Sequence, residues 1–222
     1  MGEIVQLTAQ DGHRFDVYQA KPSGTPRGAL LVIQEIFGVN SHMRSVADSY
    51  AQDGYFVLAP ALFDRAEKGF EVGYQPDDIQ KGRDVRAKVP WDAAVMDMAA
   101  TVAALKPHGK VGAVGYCWGG SLAWLAATRI DGVDAAVGYY GGQIAGFKDE
   151  APKCPVMLHF GETDKSIPMT DVEAVRAAHP EVTVHVYAAG HGFNCDQRAD
   201  FSPENAKVAR ERTLAFFRNH VG

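Results

Sequence analysis

The stretch Gly115-Tyr-Cys117-Trp-Gly119-Gly120 sets a cysteine at the centre of a glycine-bracketed turn. It follows a short apolar run, Val111-Gly-Ala-Val114, and precedes an Ala/Leu/Trp-rich segment, Ser121 to Thr128. This is the G-x-S-x-G nucleophile elbow with Cys in the Ser position. A tight strand-to-helix turn forces strained dihedrals on its central residue and brings neighbouring chain close, so the flanking positions must be small. The central side chain then projects above the sheet edge at a helix N-terminus. The free N–H groups and dipole there favour a thiolate and can hold an oxyanion. On this reading Cys117 is a nucleophile rather than a packed structural cysteine.

A nucleophile of this kind needs an acid and a histidine, in that chain order. Asp164 lies in Gly161-Glu-Thr-Asp164-Lys-Ser-Ile-Pro168, directly after the apolar run Pro155 to Phe160. His191 lies in Gly190-His191-Gly192-Phe193, shortly after the run Val182 to Tyr187. Both therefore fall on loops after strands, at the edge where Cys117 is expected. The glycines flanking His191 suit a base that reaches over the nucleophile. The other seven of the eight histidines lack that context.

Strands alternating with helices must carry these loops. Ala29 to Ile33 and Tyr55 to Ala59 are continuous apolar runs of strand length, which suits strands covered on both faces. Phe15 to Gln19 alternates in polarity and predicts an antiparallel edge strand or hairpin. Residues 42–53 predict a helix ending at Gly54. From Trp91, apolar residues recur at Ala94, Val95, Met98, Ala99, Val102 and Leu105, an amphipathic helical spacing. Asp134 to Tyr139 adds another strand, and helices are expected over 169–178 and 203–218, the latter opened by Ser202 and Pro203. The pattern predicts an α/β fold: one domain over residues 1–222, its mostly parallel central sheet covered by helices on both faces. One stretch resists it. Residues 61–90 join a strand to a helix with mixed charge, where about 4–6 residues is usual, so they form a surface excursion with a short helix or a functional loop.

Composition bounds the function. The 222 residues are 46% hydrophobic and 22% charged, ordinary for a globular chain and far from disordered or collagen-like composition. A net charge of −5 without a basic block argues against nucleic acid or anionic membrane as partner. Three cysteines at 117, 154 and 195 do not make a disulfide framework and suit a reducing compartment. The opening residues MGEIVQLTAQ lack a basic-then-apolar leader, and the expectation is a cytoplasmic protein. No C-x₂-C or H-E-x-x-H spacing occurs, so no metal or organic cofactor is expected.

At Gln34-Glu35-Ile36-Phe37-Gly38, Gly115-Tyr-Cys117-Trp-Gly119-Gly120, Gly161-Glu-Thr-Asp164 and Gly190-His191-Gly192-Phe193 the chain resembles the dienelactone hydrolases (carboxymethylenebutenolidases), within the α/β-hydrolase fold. The likeness extends over essentially the whole chain. It implies Cys117 as nucleophile, His191 as base and Asp164 as the residue orienting that base. It implies the backbone N–H groups of Ile36 and Trp118 as oxyanion hole, and Glu35 as a partner of the resting thiol. It further implies hydrolysis of an anionic unsaturated lactone, dienelactone to maleylacetate, in the degradation of aromatic compounds, with arginines holding the carboxylate. Arg83 matches one of these. The family's other basic residue follows the histidine closely, whereas here the stretch reads Phe193-Asn-Cys195-Asp-Gln-Arg198, making Arg198 the candidate replacement. Arg86 and Lys81 read as solvated charges, Tyr139 and Tyr140 as core, and Cys154 as packing. Cys195 is close enough to the base to line the pocket, with no role assigned. The reading is a monomer or weak oligomer acting on a small lactone or ester. A broader carboxylesterase or thioesterase would use the same site. A thiol sensor or binding protein is the non-catalytic alternative, opposed by the lack of a resolving cysteine near Cys117.

Overall fold

Five runs in which every residue is buried form the middle of the sheet, among them its centre: β3 (Gly28–Ile33), β4 (Tyr55–Pro60) and β5 (Val111–Tyr116). Runs apolar on both faces exclude water only when helices cover both sides. The computed structural model, which describes residues 2–222, shows that arrangement. Around these three stand β1 (Glu3–Thr8), β2 (Arg14–Ala20), β6 (Ala135–Tyr139), β7 (Val156–Gly161) and β8 (Thr183–Tyr187). The eight strands form one sheet in the order β1-β2-β4-β3-β5-β6-β7-β8. β1 and β2 are antiparallel, as the alternation at Phe15–Gln19 predicts, and the strands from β4 to β8 are parallel. Helices α1 (Ser41–Gln52), α2 (Pro76–Arg86), α3 (Trp91–Leu105), α4 (Trp118–Arg129), α5 (Met169–Ala178) and α6 (Pro203–His220) complete the α/β-hydrolase architecture.

α4 is apolar nearly all round, and all of it except Arg129 is buried, as expected for a helix enclosed by the core. Fully buried side chains such as Leu30 and Phe217 each contribute roughly 1.5–3 kcal/mol through burial. The stretch 61–90 resolves into a short 3₁₀ turn at Leu62–Arg65 and the helix α2. α2 begins with a capping box between Gln75 and Asp78 and has Pro76 in its first turn. It is pinned close to the sheet edge, because a Cβ on Gly82 would run into the backbone of Ile36. The excursion thus places a helix beside the loop that follows β3.

The register fixes where the loops open. Ile33 pairs with Gly115, Tyr116 with Tyr139, Tyr139 with His159 and Gly161 with Tyr187. The C-terminal ends of β3, β5, β6, β7 and β8 therefore lie along one edge, where parallel α/β sheets bind their ligands.

Candidate active site

Cys117 is the N-cap of α4, with φ 56° and ψ −116°. It is one of two non-glycine residues at positive φ among those described, the other being Tyr140. Such a conformation costs of order 1–3 kcal/mol and persists only where surrounding structure holds it. The glycines supply that hold. A Cβ on Gly115 would strike the carbonyl of Gly119, and one on Gly119 would strike the carbonyls of Ile33 and Gln34. The amide N–H of Cys117 donates to the Tyr139 carbonyl at 3.0 Å, tying the turn to β6.

His191 Nε2 lies 3.2 Å from Cys117 Sγ, and His191 Nδ1 lies 2.7 Å from Asp164 Oδ2. Asp164 Oδ1 accepts from the Ser166 amide at 2.8 Å, which leaves Oδ2 directed at the histidine. The Asp164 side chain is 0% exposed and that of His191 is 17% exposed, so solvent screens the pair weakly. Burial pulls the imidazole down. The charge of Cys117 and the hydrogen bonds to Asp164 and Cys117 outweigh it, moving His191 from 6.5 up to about 10. The arrangement favours the protonated form of the His191 ring. The rings of Tyr140 and His191 lie 5.2 Å apart, so Tyr140 walls the histidine as well as packing in the core.

Among the described residues, no acceptor lies in hydrogen-bond range of the backbone N–H of Ile36 or Trp118. Trp118 begins α4, whose first-turn N–H groups have no partner within the helix. Both residues line a cavity of about 480 Å³ together with Cys117 and His191. This leaves two donors available beside the thiol.

Glu35 is placed differently from the expectation. Its carboxylate is 1% exposed and does not contact the thiol; Oε1 accepts from Arg198 Nη1 at 3.3 Å. The thiol instead faces His191. A buried carboxylate needs a charged partner, and the chain folds Arg198 back over Gly192 to provide one: a Cβ on that glycine would meet the arginine side chain. Arg198 also lies 5.8 Å from the centre of the Phe37 ring and lines the cavity.

Arg83 lines the cavity from α2, and so does Arg86, where the sequence predicts a solvated charge. Arg86 is half-buried, with its guanidinium 4.6 Å from the centre of the Trp91 ring. Burial lowers its pKa, and the charge of Cys117 opposes that shift. A helical signal for this exists in the sequence: Ile79, Arg83 and Arg86 are spaced four and three apart, and all three line the cavity. Lys81 pairs with Asp78 at 3.7 Å with its side chain 61% exposed, as a solvated charge does. Lys165 adds a cation at the rim, and Asp200 is the acidic residue of the lining.

Cys154 is half-buried against the core. Cys195 does not line the cavity. It is fully buried, and burial together with neighbouring Glu35 pushes its thiol up to about 12.

The family model of the dienelactone hydrolases matches residues 15–221. The chain is 34% identical to the carboxymethylenebutenolidase of Pseudomonas putida over 226 residues, covering 96% of this chain and 95% of that one. It superposes on the crystal structure of a "Putative Dienelactone Hydrolase" from Klebsiella pneumoniae with a TM-score of 0.88 and 30% identity, covering 99% of both chains. A Pyrococcus furiosus esterase at 15% identity and TM-score 0.75, covering 100% of this chain and 92% of that one, shares the fold. The match of motifs, architecture and nearly full-length similarity makes this chain a member of the dienelactone hydrolase family, enzymes that hydrolyse ester and lactone bonds.

Proposed function

We propose that the protein hydrolyses an anionic unsaturated lactone through a thioester on Cys117. The observation that carries this reading is the chain Cys117–His191–Asp164, with contacts of 3.2 and 2.7 Å, opening into a cavity lined by arginines. The Cys117 thiolate attacks the lactone carbonyl carbon, and a C–S bond forms as the carbonyl electron pair moves onto oxygen. The N–H groups of Ile36 and Trp118 hold that oxyanion, the kind of preorganised stabilisation that contributes most to acyl transfer. Collapse of the tetrahedral adduct expels the ring oxygen, which in a conjugated lactone departs as an enolate and needs little acid assistance. His191 protonates it and then, as base, draws a proton from water attacking the thioester. Asp164 holds the ring tautomer and stabilises the imidazolium. The product is an open-chain acid, maleylacetate in the dienelactone case, and the thiolate is regenerated.

Arg83, Arg86 and Arg198 give the cavity a cationic wall that suits a carboxylate on the substrate. Glu35, held by Arg198, sets that guanidinium in place. In this account Glu35 meets the thiol only if it leaves Arg198, so the present geometry corresponds to the engaged arrangement of the site.

The size of the cavity favours a second reading. About 480 Å³ falls within the range of drug-sized ligands and exceeds the needs of a single five-membered ring. A broader carboxylesterase or thioesterase acting through the same Cys117 would use that space. Steady-state assays on cis- and trans-dienelactone beside p-nitrophenyl acetate separate the two. Turnover of dienelactone lost in Cys117→Ala and retained in Cys154→Ala supports the first reading. Ester turnover without dienelactone turnover supports the second, and full activity in Cys117→Ala overturns both.

A further inference from the structure

Behind the cavity, three buried side chains from separate segments converge: Glu35 after β3, His42 in α1 and Cys195 after His191. One donor atom from each lies within 4.8 Å of the others. Their exposures are 1%, 8% and 0%. Of the Glu35 carboxylate, Oε1 is taken by Arg198, but Oε2 is buried with no hydrogen-bond partner among the described residues. The hydroxyl of Tyr74 is likewise buried, beside Asn40 and the Cys195 thiol, and its ring packs edge-on to His42 at 6.0 Å. Buried polar atoms are rarely left without a partner, and such orphans call for a water or an ion. His42 is already oriented, since its Nδ1 lies 3.1 Å from Asp196 Oδ1. A carboxylate on one ring nitrogen, leaving Nε2 to ligate, is the usual support of a metal-bound histidine.

We propose that Glu35 Oε2, His42 Nε2 and Cys195 Sγ form a binding site for a borderline-soft divalent ion, Zn²⁺ above all, distinct from the Cys117–His191 pair. Thiolate, imidazole and carboxylate together select zinc or cobalt over magnesium or calcium. Bonds of about 2.0–2.3 Å in a tetrahedron bring donors to about 3.3–3.8 Å of each other, so these side chains draw in by no more than about 1.5 Å. Water or the Tyr74 hydroxyl takes the fourth position. On binding, the Cys195 S–H bond breaks and its proton passes to solvent, while the sulfur electron pair forms the bond to the ion; no oxidant or reductant is required. The ion charge compensates the Glu35 carboxylate through Oε2, while Arg198 holds Oε1. Sequence spacing cannot reveal such a site, because positions 35, 42 and 195 meet only through the tertiary fold.

The test is titration of the chelator-stripped full-length protein with Co²⁺, read by the thiolate-to-cobalt charge-transfer band, and with Zn²⁺ against a chromophoric chelator. The expected result is one ion per chain. The band persists in Cys117→Ala and disappears in Cys195→Ser. Asp196→Asn changes a side chain that is 66% exposed, and it weakens Zn²⁺ binding by about tenfold or more through loss of the orienting carboxylate. Absence of a thiolate band in the wild-type protein overturns the proposal, and so does a band lost in Cys117→Ala but kept in Cys195→Ser. Zn²⁺ affinity unchanged in both His42→Ala and Asp196→Asn likewise assigns the metal elsewhere.

Discussion

Replacing Asp164 by Asn changes one atom and should disable the site while leaving the fold intact. The amide oxygen can keep the 2.8 Å bond from the Ser166 N–H, which turns the NH₂ group toward His191 Nδ1. A donor there selects the imidazole tautomer protonated on Nε2, which cannot accept a proton from the thiol or from water. It also removes the carboxylate that faces the ring at 2.7 Å. A hydrogen bond to a charged group contributes about 1.5–3 kcal/mol, or roughly 10- to 150-fold. The wrong tautomer adds to this, as it does in serine hydrolases, where the same exchange costs about 10⁴-fold. We expect kcat/KM on a lactone to fall by about 10²-fold or more, with KM changing much less than kcat. The pH profile carries a second signature. Asp164 and Cys117 raise His191 to about 10, so the imidazolium persists through neutral pH and activity declines on the alkaline side near that value. Without the carboxylate the histidine loses its proton at lower pH, and the alkaline limb should move downward. Steady-state assays on dienelactone from pH 6 to about pH 10.5, which brackets the limb set by His191, measure both effects. Unchanged kcat/KM together with an unmoved alkaline limb would refute the reasoning.

Other expectations concern the charges around the cavity. Arg198→Ala leaves the Glu35 carboxylate, 1% exposed, without its cation, and the loss should be about 3–5 kcal/mol in urea denaturation. The double variant Arg198→Met with Glu35→Gln should recover a large part of that loss. Arg83→Ala and Arg86→Ala should each raise KM for a carboxylated lactone several-fold while leaving a neutral aryl ester nearly unaffected. Equal losses on both substrates would remove these residues from carboxylate recognition.

The sequence shows most of the frame because its strongest signals are local. The buried runs of β3, β4 and β5 are continuous in sequence, and the turn around Cys117 needs its glycines within five positions. The start of α4 was less legible. Sequence reading begins that helix at Ser121, whereas it begins at Trp118, because Gly119 and Gly120 are poor helix formers. Tertiary packing overrides that preference, since a side chain at either glycine would meet a neighbouring carbonyl. Long-range pairings were hidden. The contact of Glu35 with Arg198 spans 163 positions and depends on how the loop after His191 folds back. Arg86 is hidden for a different reason: its spacing from Ile79 and Arg83 becomes informative only once the mixed-charge stretch is known to fold as the helix α2.

No described helix is long and apolar enough to cross a membrane. The central claim is that Cys117 becomes acylated. Mass spectrometry of the His191→Ala variant, quenched in acid after mixing with dienelactone, tests it directly, because loss of the base slows hydrolysis of the thioester. The account predicts one substrate mass added to the peptide containing Cys117, with no addition at Cys154 or Cys195 and none anywhere in Cys117→Ala. Undiminished lactone hydrolysis by Cys117→Ala, or an acyl group found on another residue, would contradict it.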